Sequence, residues 1–267
     1  MAFRRRDTRT MQDKALGIIG TGALARYCVA GLRNAGDDRT ILLSPRNAQV
    51  AAELAERHGC QVMADNQSVV DNAALVLFAT RPADARSALE ALHFGSDQTL
   101  VSVVAGIPLA ELKGLAEPAR VVRSMPLCCA EVNAGAMPLW PDDPSARALL
   151  SPLGEVVAMP DEAAFELAFV ASCVNGWFHR LFAELEDWLV EAGFEPTQAR
   201  TLALQAAHGA SSLDLAHPDV GPAERAAQIA TPGTYTRLGL DALDQAGVFS
   251  ALRASFDLIR REIEDQT

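Results

Sequence analysis

The sequence predicts an α/β protein in which a parallel β-sheet domain precedes an all-α domain. An apolar run breaks into closely spaced glycines at 16–25, short apolar segments then alternate with helical patterns, and no strand pattern returns after Asp161. Alternating strands and helices with short connections favour a parallel sheet that is covered on both faces. The expected divisions are a disordered tail at 1–14, a sheet domain at 15–159 and a helical domain at 160–267.

The glycine-rich segment predicts a strand, a tight turn and a helix. Gly20 allows the chain to turn, Gly22 allows a phosphate to approach the backbone, and Ala25 replaces a third glycine where helix and strand pack closely. The first helical N–H groups would then face a pyrophosphate. We therefore expect a Rossmann-type dinucleotide-binding domain, and the alternative is a glycine turn in another α/β protein. The expected phosphate-binding residues are Gly20, Thr21, Gly22, Ala23, Leu24 and Ala25.

The other elements of the sheet domain follow from apolar runs and the turn residues between them. Strands are expected at 40–43, 61–63, 74–79, 99–104 and 120–124, with 134–140 and 155–158 extending the sheet. Helices are expected at 48–58 and 84–92, with a short helix near Ser68.

The end of the second strand bears on the choice of cofactor. In NAD-preferring folds an acid at this position binds the ribose hydroxyls, whereas an arginine accommodates a 2′-phosphate. The strand here ends in Ser44, Arg46 and Asn47 with no acid, which favours NADPH while NADH stays possible. The alternative is that Ser44-Pro45 begins the next helix and that Arg46 is solvated.

The second half of the chain is predicted to be helical. Apolar residues recur at helical spacing from Asp161 to Ala192, and further helices are expected from Pro196, after Pro222 and over 249–263. Long apolar faces on a helical domain of this size favour burial against another subunit, so we expect a homodimer. A packed monomer is the alternative.

Composition narrows the classes of partner. The net charge of -11 argues against nucleic acid or an anionic membrane surface, since either would draw on a basic patch. No apolar run approaches the roughly 20 residues of a membrane span. The five cysteines, an odd number that includes adjacent Cys128 and Cys129, fit a reducing cytoplasm and lack the spacing of a zinc site, so no metal is expected.

The only lysines, Lys14 and Lys113, argue against a β-hydroxyacid dehydrogenase with a lysine proton donor on its helical domain.

A second informative segment is Ile229–Leu240, where proline and glycine interrupt a helical region rich in threonine. A loop of this kind that opens onto a helix offers backbone N–H groups and hydroxyls to a carboxylate or a ring nitrogen. The alternative is a helix N-terminus capped by Thr231 or Thr234.

Together these segments resemble the pyrroline-5-carboxylate reductase family over nearly the whole chain from Ala15 onward. The matching motifs are Gly20-Thr21-Gly22-Ala23-Leu24-Ala25, Asp65-Asn66, Ala79-Thr80-Arg81-Pro82 where the family usually has Ala-Val-Lys-Pro, Ala105-Gly106-Ile107, Val122-Arg123-Ser124-Met125-Pro126, Ala192-Gly193-Phe194 and Thr231-Pro232-Gly233 through Thr236. The resemblance adds to the cofactor site Asn66, Ala79, Thr80, Arg81, Pro82, Ala105 and Gly106.

The resemblance implies an NAD(P)H-dependent reductase of proline biosynthesis, which transfers hydride to the C=N bond of a cyclic imine, most directly pyrroline-5-carboxylate. It also implies helical domains interleaved in a homodimer with a shared active site. Thr236 matches the second threonine of the family's Ser-Pro-Gly-Gly-Thr-Thr loop, which contacts the substrate nitrogen, and is the expected catalytic residue. Because the imine is protonated at low cost, the main work of the protein would be orientation. The expected substrate-binding residues are Thr231, Gly233, Thr234, Tyr235, Thr236, Cys173 and Leu127.

The substrate side departs from the family pattern more than the cofactor side does. Residues 171–177 replace Ser-Gly-Ser-Gly-Pro-Ala-Tyr, Leu127 replaces the asparagine of Met-Pro-Asn-Thr-Pro, and Thr234 and Tyr235 replace a glycine and a threonine. A lost polar partner changes specificity far more than a lost methylene does. Two alternatives to proline formation therefore stay open: reduction of a related imine in a specialised pathway, or a catalytically silent dinucleotide-binding regulatory protein.

Overall fold

The computed structural model describes residues 15–266, so the expected tail at 1–14 lies outside the described residues. The chain forms two compact units. The first ends at Phe169, and the second comprises Val170–Asp265.

The first unit is built on one sheet of eight strands in the order β3-β2-β1-β4-β5-β6-β7-β8. The strands are β1 (Leu16–Ile19), β2 (Ile41–Leu43), β3 (Gln61–Val62), β4 (Leu75–Phe78), β5 (Thr99–Ser102), β6 (Arg120–Ser124), β7 (Ala136–Trp140) and β8 (Glu155–Ala158). The order reverses beside β1, with β2 on one side and β4 on the other, which is the topological switch point where α/β proteins bind ligands.

The six strands from β3 to β6 across the sheet are parallel, as the sequence predicts. β7 and β8 extend the sheet as expected, but β7 runs antiparallel to β6 and β8 is parallel to β7, directions that the sequence did not predict. The physical reason is the connection. Residues 125–135 contain only a 3-10 helix (Cys128–Val132), whereas a parallel crossover usually needs an α-helix to return the chain to the starting edge.

Helices cover both faces of the sheet. They are α1 (Ala23–Asn34), α2 (Ala48–His58), α3 (Asn66–Asp71), α4 (Pro82–Glu90), α5 (Leu109–Leu115) and α6 (Pro144–Leu150). Alternate residues of a strand enter different cores: Ile18 packs with α1, α2 and α6, while Ile19 packs with α3, α4 and α5. This two-sided burial explains the continuous apolar strands of the sequence.

The boundary between the units lies ten residues beyond the expected one, inside the long helix α7 (Glu162–Glu191). The buried guanidinium of Arg123, at the end of β6, bonds to Glu162 at 2.9 Å and to Glu166. It also lies over the Phe165 ring, 4.7 Å from the centroid. The first two turns of α7 therefore belong with the sheet.

The second unit consists of the rest of α7 and four further helices. These are α8 (Pro196–Ala216), α9 (Pro222–Ile229), α10 (Tyr235–Gln245) and α11 (Val248–Gln266). Trp177 on α7 stacks on Phe256 of α11 with ring centroids 5.6 Å apart, and Arg200 on α8 pairs with Glu186 on α7 at 2.8 Å. Within residues 15–266, no helix is both long and apolar enough to cross a membrane.

Candidate functional site

The predicted glycine loop joins β1 to α1 and lies against the end of β4. Gly20 has φ +96°, and a Cβ at this position would overlap the Ala79 carbonyl group. Ala79 in turn donates a backbone hydrogen bond to the Ile19 carbonyl at 2.7 Å. Only glycine combines this conformation with this close approach, so Gly20 is a requirement of the turn.

Two hydroxyls lock the loop to the end of β2. The Ser44 hydroxyl accepts a hydrogen bond from Gly20 N–H at 3.1 Å and lies 3.0 Å from the Thr21 hydroxyl. The Thr21 hydroxyl also donates to the Ser44 carbonyl at 2.9 Å. Both side chains are buried, so they hold the loop in place, and direct contact of Ser44 with a cofactor stays a prediction.

The start of α1 is open. Gly22 precedes the helix in an extended conformation with no side-chain cap, and a Cβ there would meet nothing within 4 Å. The first N–H groups of a helix lack partners within the helix and favour an anion. Ala25 is fully buried, as expected for the position that packs helix on strand. The loop thus has the shape and polarity that a pyrophosphate needs.

The segment after β2 contains two of the predicted residues in different roles. Asn47 caps α2, because its Oδ1 accepts a hydrogen bond from Val50 N–H at 3.4 Å. Arg46 is exposed, and its Nη1 lies 3.2 Å from Oδ2 of Asp84 on α4. Helix α2 therefore begins at Ala48 and not at Ser44-Pro45, and the exposed Arg46 is paired with an acid that the sequence analysis did not select.

A cleft of about 400 Å³ opens beside Arg46. Its lining residues come from the ends of β2 and β3 and from α4 with its C-terminal end: Pro45, Arg46, Ala64, Asp65, Asn66, Gln67, Ala88, Ala91 and Leu92. Asn66 was expected at the cofactor site, whereas Ala88 and Ala91 were not selected from the sequence. Two small side chains three residues apart, at the C-terminal end of α4, were the available signal for this part of the cleft.

The remaining predicted cofactor residues follow β4 and β5. Arg81 precedes α4 and bonds to Asp84 through Nε at 3.0 Å and Nη2 at 2.8 Å, and Pro82 is the first residue of the helix. The Thr80 hydroxyl is buried with no hydrogen-bond partner. Ala105 and Gly106 are exposed after β5.

All the predicted cofactor residues therefore lie in the first unit. They follow the carboxyl ends of the neighbouring parallel strands β2, β1, β4 and β5, except Asn66, which follows the short strand β3. Beyond β5, the Ser124 hydroxyl at the end of β6 is a second buried hydroxyl without a partner. Buried hydroxyls without partners are rare, and a bound ligand is one way to satisfy them. This edge of the sheet fits a dinucleotide.

The predicted substrate residues are divided between the two units. Leu127 is half-buried in the first unit, just before the 3-10 helix. Cys173, on α7, belongs to the second unit, where burial raises the pKa of its thiol.

The threonine-rich segment forms the turn between α9 and α10. Thr234 caps α10 by accepting a hydrogen bond from Arg237 N–H at 3.2 Å, and its own hydroxyl donates to the Thr231 carbonyl at 2.7 Å. Tyr235 is 93% exposed, and Thr236, the second residue of α10, is also exposed. The capping interpretation therefore describes Thr234, and the Thr236 hydroxyl is accessible. In the part of the chain that the structure describes, no group of three or more His, Cys, Asp and Glu residues is arranged to hold a metal ion.

Two protein-family models match separate parts of this chain. A model described as "NADP oxidoreductase coenzyme F420-dependent" matches residues 15–106, which contain the glycine loop. A model described as "Pyrroline-5-carboxylate reductase dimerisation" matches residues 164–264, which contain the helical unit.

Known proteins resemble the chain along nearly its full length. A pyrroline-5-carboxylate reductase of Pseudomonas aeruginosa is 29% identical over 254 residues, which cover 91% of this chain and 92% of the relative. One of Methanosarcina acetivorans is 25% identical, with 90% and 93% covered. Among solved structures, the Streptococcus pyogenes enzyme has a TM-score of 0.82 at 21% identity, covering 95% of this chain and 99% of that one. The Plasmodium falciparum enzyme with NADP bound also has a TM-score of 0.82, at 16% identity, with 96% and 99% covered.

The sheet edge, the helical unit and these similarities define an NAD(P)H-dependent reductase with a Rossmann-type domain and a helical C-terminal domain. The predicted fold class is confirmed. Within this class, the chain is similar to pyrroline-5-carboxylate reductases along nearly its whole length, and its helical unit matches their dimerisation model.

Proposed function

We propose that this protein reduces pyrroline-5-carboxylate to proline with NADPH as the hydride donor. The observation that carries the proposal is the glycine loop, which is locked to Ser44 and open in front of α1. This loop occurs in a chain whose helical unit matches the dimerisation model of the same family. The cofactor, when bound, supplies the hydride that the imine carbon accepts.

The residues of the first unit would hold the dinucleotide in three parts. Gly22 and the first N–H groups of α1 suit the pyrophosphate. The cleft between Pro45 and Ala88 suits the adenine, because one wall consists of small apolar side chains. Thr80 and Ser124 offer buried hydroxyls farther along the sheet edge.

The cofactor preference is proposed to be NADPH. Arg46 is exposed beside the cleft and can turn its guanidinium toward a 2′-phosphate, which arginine binds through paired hydrogen bonds. Arg46→Ala should weaken NADPH binding much more than NADH binding. An unchanged preference would contradict this role.

The substrate would be oriented mainly by Thr236. Its hydroxyl is exposed on the first turn of α10 and can hydrogen-bond to an imine nitrogen. Thr231, Gly233 and Thr234 shape the backbone of the turn, while Tyr235, Cys173 and Leu127 differ from the family pattern and would set the shape of the pocket. An imine is protonated at low cost, so the task of these residues is to hold its carbon within about 3–3.5 Å of the reacting group.

We further propose a homodimer, formed through the helical unit, with an active site shared between subunits in a reducing cytoplasm. Phe178, Leu181, Leu185 and Trp188 are spaced three or four residues apart on α7 and are 50%, 61%, 39% and 63% exposed. Such a stripe is too apolar for a solvated helix face and is typical of a subunit interface. Light scattering during gel filtration tests this: Leu181→Glu should yield monomers, whereas Arg180→Glu on the same helix should not.

Two alternatives explain the altered substrate residues: reduction of a related imine, and a dinucleotide-binding protein without catalysis. Purified protein should be incubated with NADPH and a panel of cyclic imines while NADPH absorbance is followed. Turnover on pyrroline-5-carboxylate supports the proposal, and faster turnover on another imine supports the first alternative. NADPH binding without turnover on any imine supports the second.

A matched pair of variants tests whether cofactor binding depends on the glycine loop. Gly22→Asp places a carboxylate in the open space before α1 and should abolish cofactor binding, because it repels the pyrophosphate. Gly114→Asp places the same group on α5, also in open space, and should leave binding intact. Equal effects of the two substitutions would contradict the assignment.

A further inference from the structure

Asp84 connects two arginines, and one of them, Arg46, lines the cleft. Its Oδ2 lies 3.2 Å from Arg46 Nη1 and 2.8 Å from Arg81 Nη2. Arg46 follows β2 and Arg81 follows β4, so the carboxylate joins the two sides of the topological switch point. Both guanidinium groups are exposed, whereas the Asp84 side chain is only 26% exposed.

The carboxylate is stable in this position. Asp84 lies in the first turn of α4, where the helix dipole favours a negative charge. The hydrogen bond from Arg81 and the nearby Arg46 lower the pKa of Asp84 below its usual range. The group is therefore ionised throughout the physiological pH range.

Asp84 is also aligned with the wall of the cleft. Ala88 lines the cleft four residues after Asp84, on the same face of α4, and Ala91, which caps the C-terminal end of this helix, lines the cleft as well. Arg46 lines the cleft from the opposite side. Asp84 thus places an acid beside Arg46, although the second strand itself ends without one.

We propose that Asp84 is a specificity-determining residue that competes with the cofactor's 2′-phosphate for Arg46 and Arg81, and so narrows the preference for NADPH over NADH. This inference rests on the proposed use of NADPH. A 2′-phosphate carries up to two negative charges, and binding requires Arg46 to leave Asp84 or to share it. The neighbouring carboxylate also repels the phosphate directly. The 2′-hydroxyl of NADH is neutral and meets no such repulsion.

The test measures binding and needs no imine. Dissociation constants for NADP⁺ and NAD⁺, and for the fragments adenosine 2′,5′-bisphosphate and ADP, should be measured by calorimetry at low salt. Asp84→Asn keeps the shape of the side chain and removes its charge. NADP⁺ should bind about two- to fivefold more tightly, the range expected for one exposed charge interaction, and NAD⁺ should change little. The same change should appear with the fragments.

Two controls make the result specific. Asp142→Asn removes a carboxylate that pairs with Arg147 at 2.8 Å in the same unit, away from the cleft, and should leave the ratio of the two constants unchanged. When Arg46 is already replaced by alanine, Asp84→Asn should change the NADP⁺ dissociation constant less, because one of the two guanidinium groups for which Asp84 and the 2′-phosphate compete is gone. Thermal unfolding checks that each variant is folded.

The outcomes separate this inference from the proposed function. If the ratio of the NADP⁺ and NAD⁺ dissociation constants is unchanged in Asp84→Asn, the proposed competition is overturned. If Asp84→Asn binds NADP⁺ more weakly, the competition is also overturned, and Asp84 instead positions the arginines for the phosphate. A protein that reduces no imine but shows the expected shift would contradict the proposed reaction and leave the role of Asp84 supported.

Discussion

The backbone N–H of Gly20 donates a hydrogen bond to the hydroxyl of Ser44 at 3.1 Å. The donor belongs to the loop after β1, and the acceptor is the residue that directly follows the neighbouring strand β2. This bond holds the loop on the side that faces β2, and the space around Gly22 stays open. We therefore expect Ser44 to affect the binding of any dinucleotide through the loop, whether or not that dinucleotide carries a 2′-phosphate.

Ser44→Ala should weaken NADP⁺ and NAD⁺ binding by similar factors and lower the free energy of unfolding by about 1–3 kcal/mol. The reason is that the Gly20 N–H loses its partner in a partly buried setting. Urea unfolding and calorimetry measure the two effects. Ser151→Ala, which removes an exposed hydroxyl bonded to the Arg147 carbonyl, should change stability by less than about 0.5 kcal/mol. A loss confined to NADP⁺ would instead show that Ser44 contacts the 2′-phosphate.

Arg123→Met should lower the free energy of unfolding by about 2–4 kcal/mol. Its guanidinium is buried, and its loss leaves Glu162 and Glu166 without their shared cation. The side chains of Glu162 and Glu166 are 32% and 21% exposed, so water still solvates part of their negative charge when the guanidinium is removed. Arg123→Lys should restore part of the stability. Arg147→Met, which breaks an exposed ion pair, should cost less than about 1 kcal/mol, and an equal cost for both would contradict the structural role of Arg123.

Local signals account for most of the elements that the sequence predicts. Helix α2 (Ala48–His58) has the expected bounds because Asn47 caps its start and Gly59, in the left-handed conformation, ends it. Such caps involve residues a few positions apart, so they can be read without the fold. The antiparallel direction of β7 depends on how residues 125–135 turn, and apolar patterns carry no direction.

The candidate site was predictable to the extent that it is local. The glycine loop is one continuous motif, and the sequence predicts its strand, turn and helix. The contact between Arg46 and Asp84 joins residues that follow different strands, so the spacing of residues along the sequence gave no signal for it. Likewise, the burial of the Ser44 hydroxyl follows from packing against Thr21 and has no sequence signal.

Gly31→Ala should lower the free energy of unfolding by about 1–3 kcal/mol. A Cβ on Gly31, in α1, would overlap the Ala130 carbonyl oxygen of the 3-10 helix, and backbone atoms cannot rotate away. The same contact is supported by Asn133 Nδ2, which donates to the Gly31 carbonyl at 2.7 Å. Gly114→Ala in α5 is the control: open space surrounds it, so helix propensity should raise stability by about 0.5–1 kcal/mol. A neutral Gly31→Ala would show that α1 and the 3-10 helix can separate without cost.

Thr236→Ala should lower turnover roughly tenfold or more and leave NADPH affinity nearly unchanged, because the role we propose for this hydroxyl is to orient the substrate alone. Thr234→Ala differs, since it removes the cap of α10 and should cost about 1 kcal/mol of stability. Steady-state kinetics and cofactor titration separate these effects. Thr201→Ala, on an exposed face of α8, should change neither turnover nor affinity. An equal loss of cofactor binding in Thr236→Ala would contradict its assignment to the substrate.

Cys28 should make the protein less stable as the pH rises above 9.0. Burial in the core beneath α1 raises the pKa of this thiol from 9.0 to about 12. Between these values the unfolded chain loses the thiol proton and the native chain keeps it, so the free energy of unfolding falls by about 1.4 kcal/mol per pH unit from this group. Cys28→Ala should be less stable than the natural chain at neutral pH, because it leaves a small cavity, and the difference should narrow at alkaline pH. Urea unfolding of both proteins on either side of pH 9.0 measures this, and a constant difference would mean that the thiol ionises equally in both states.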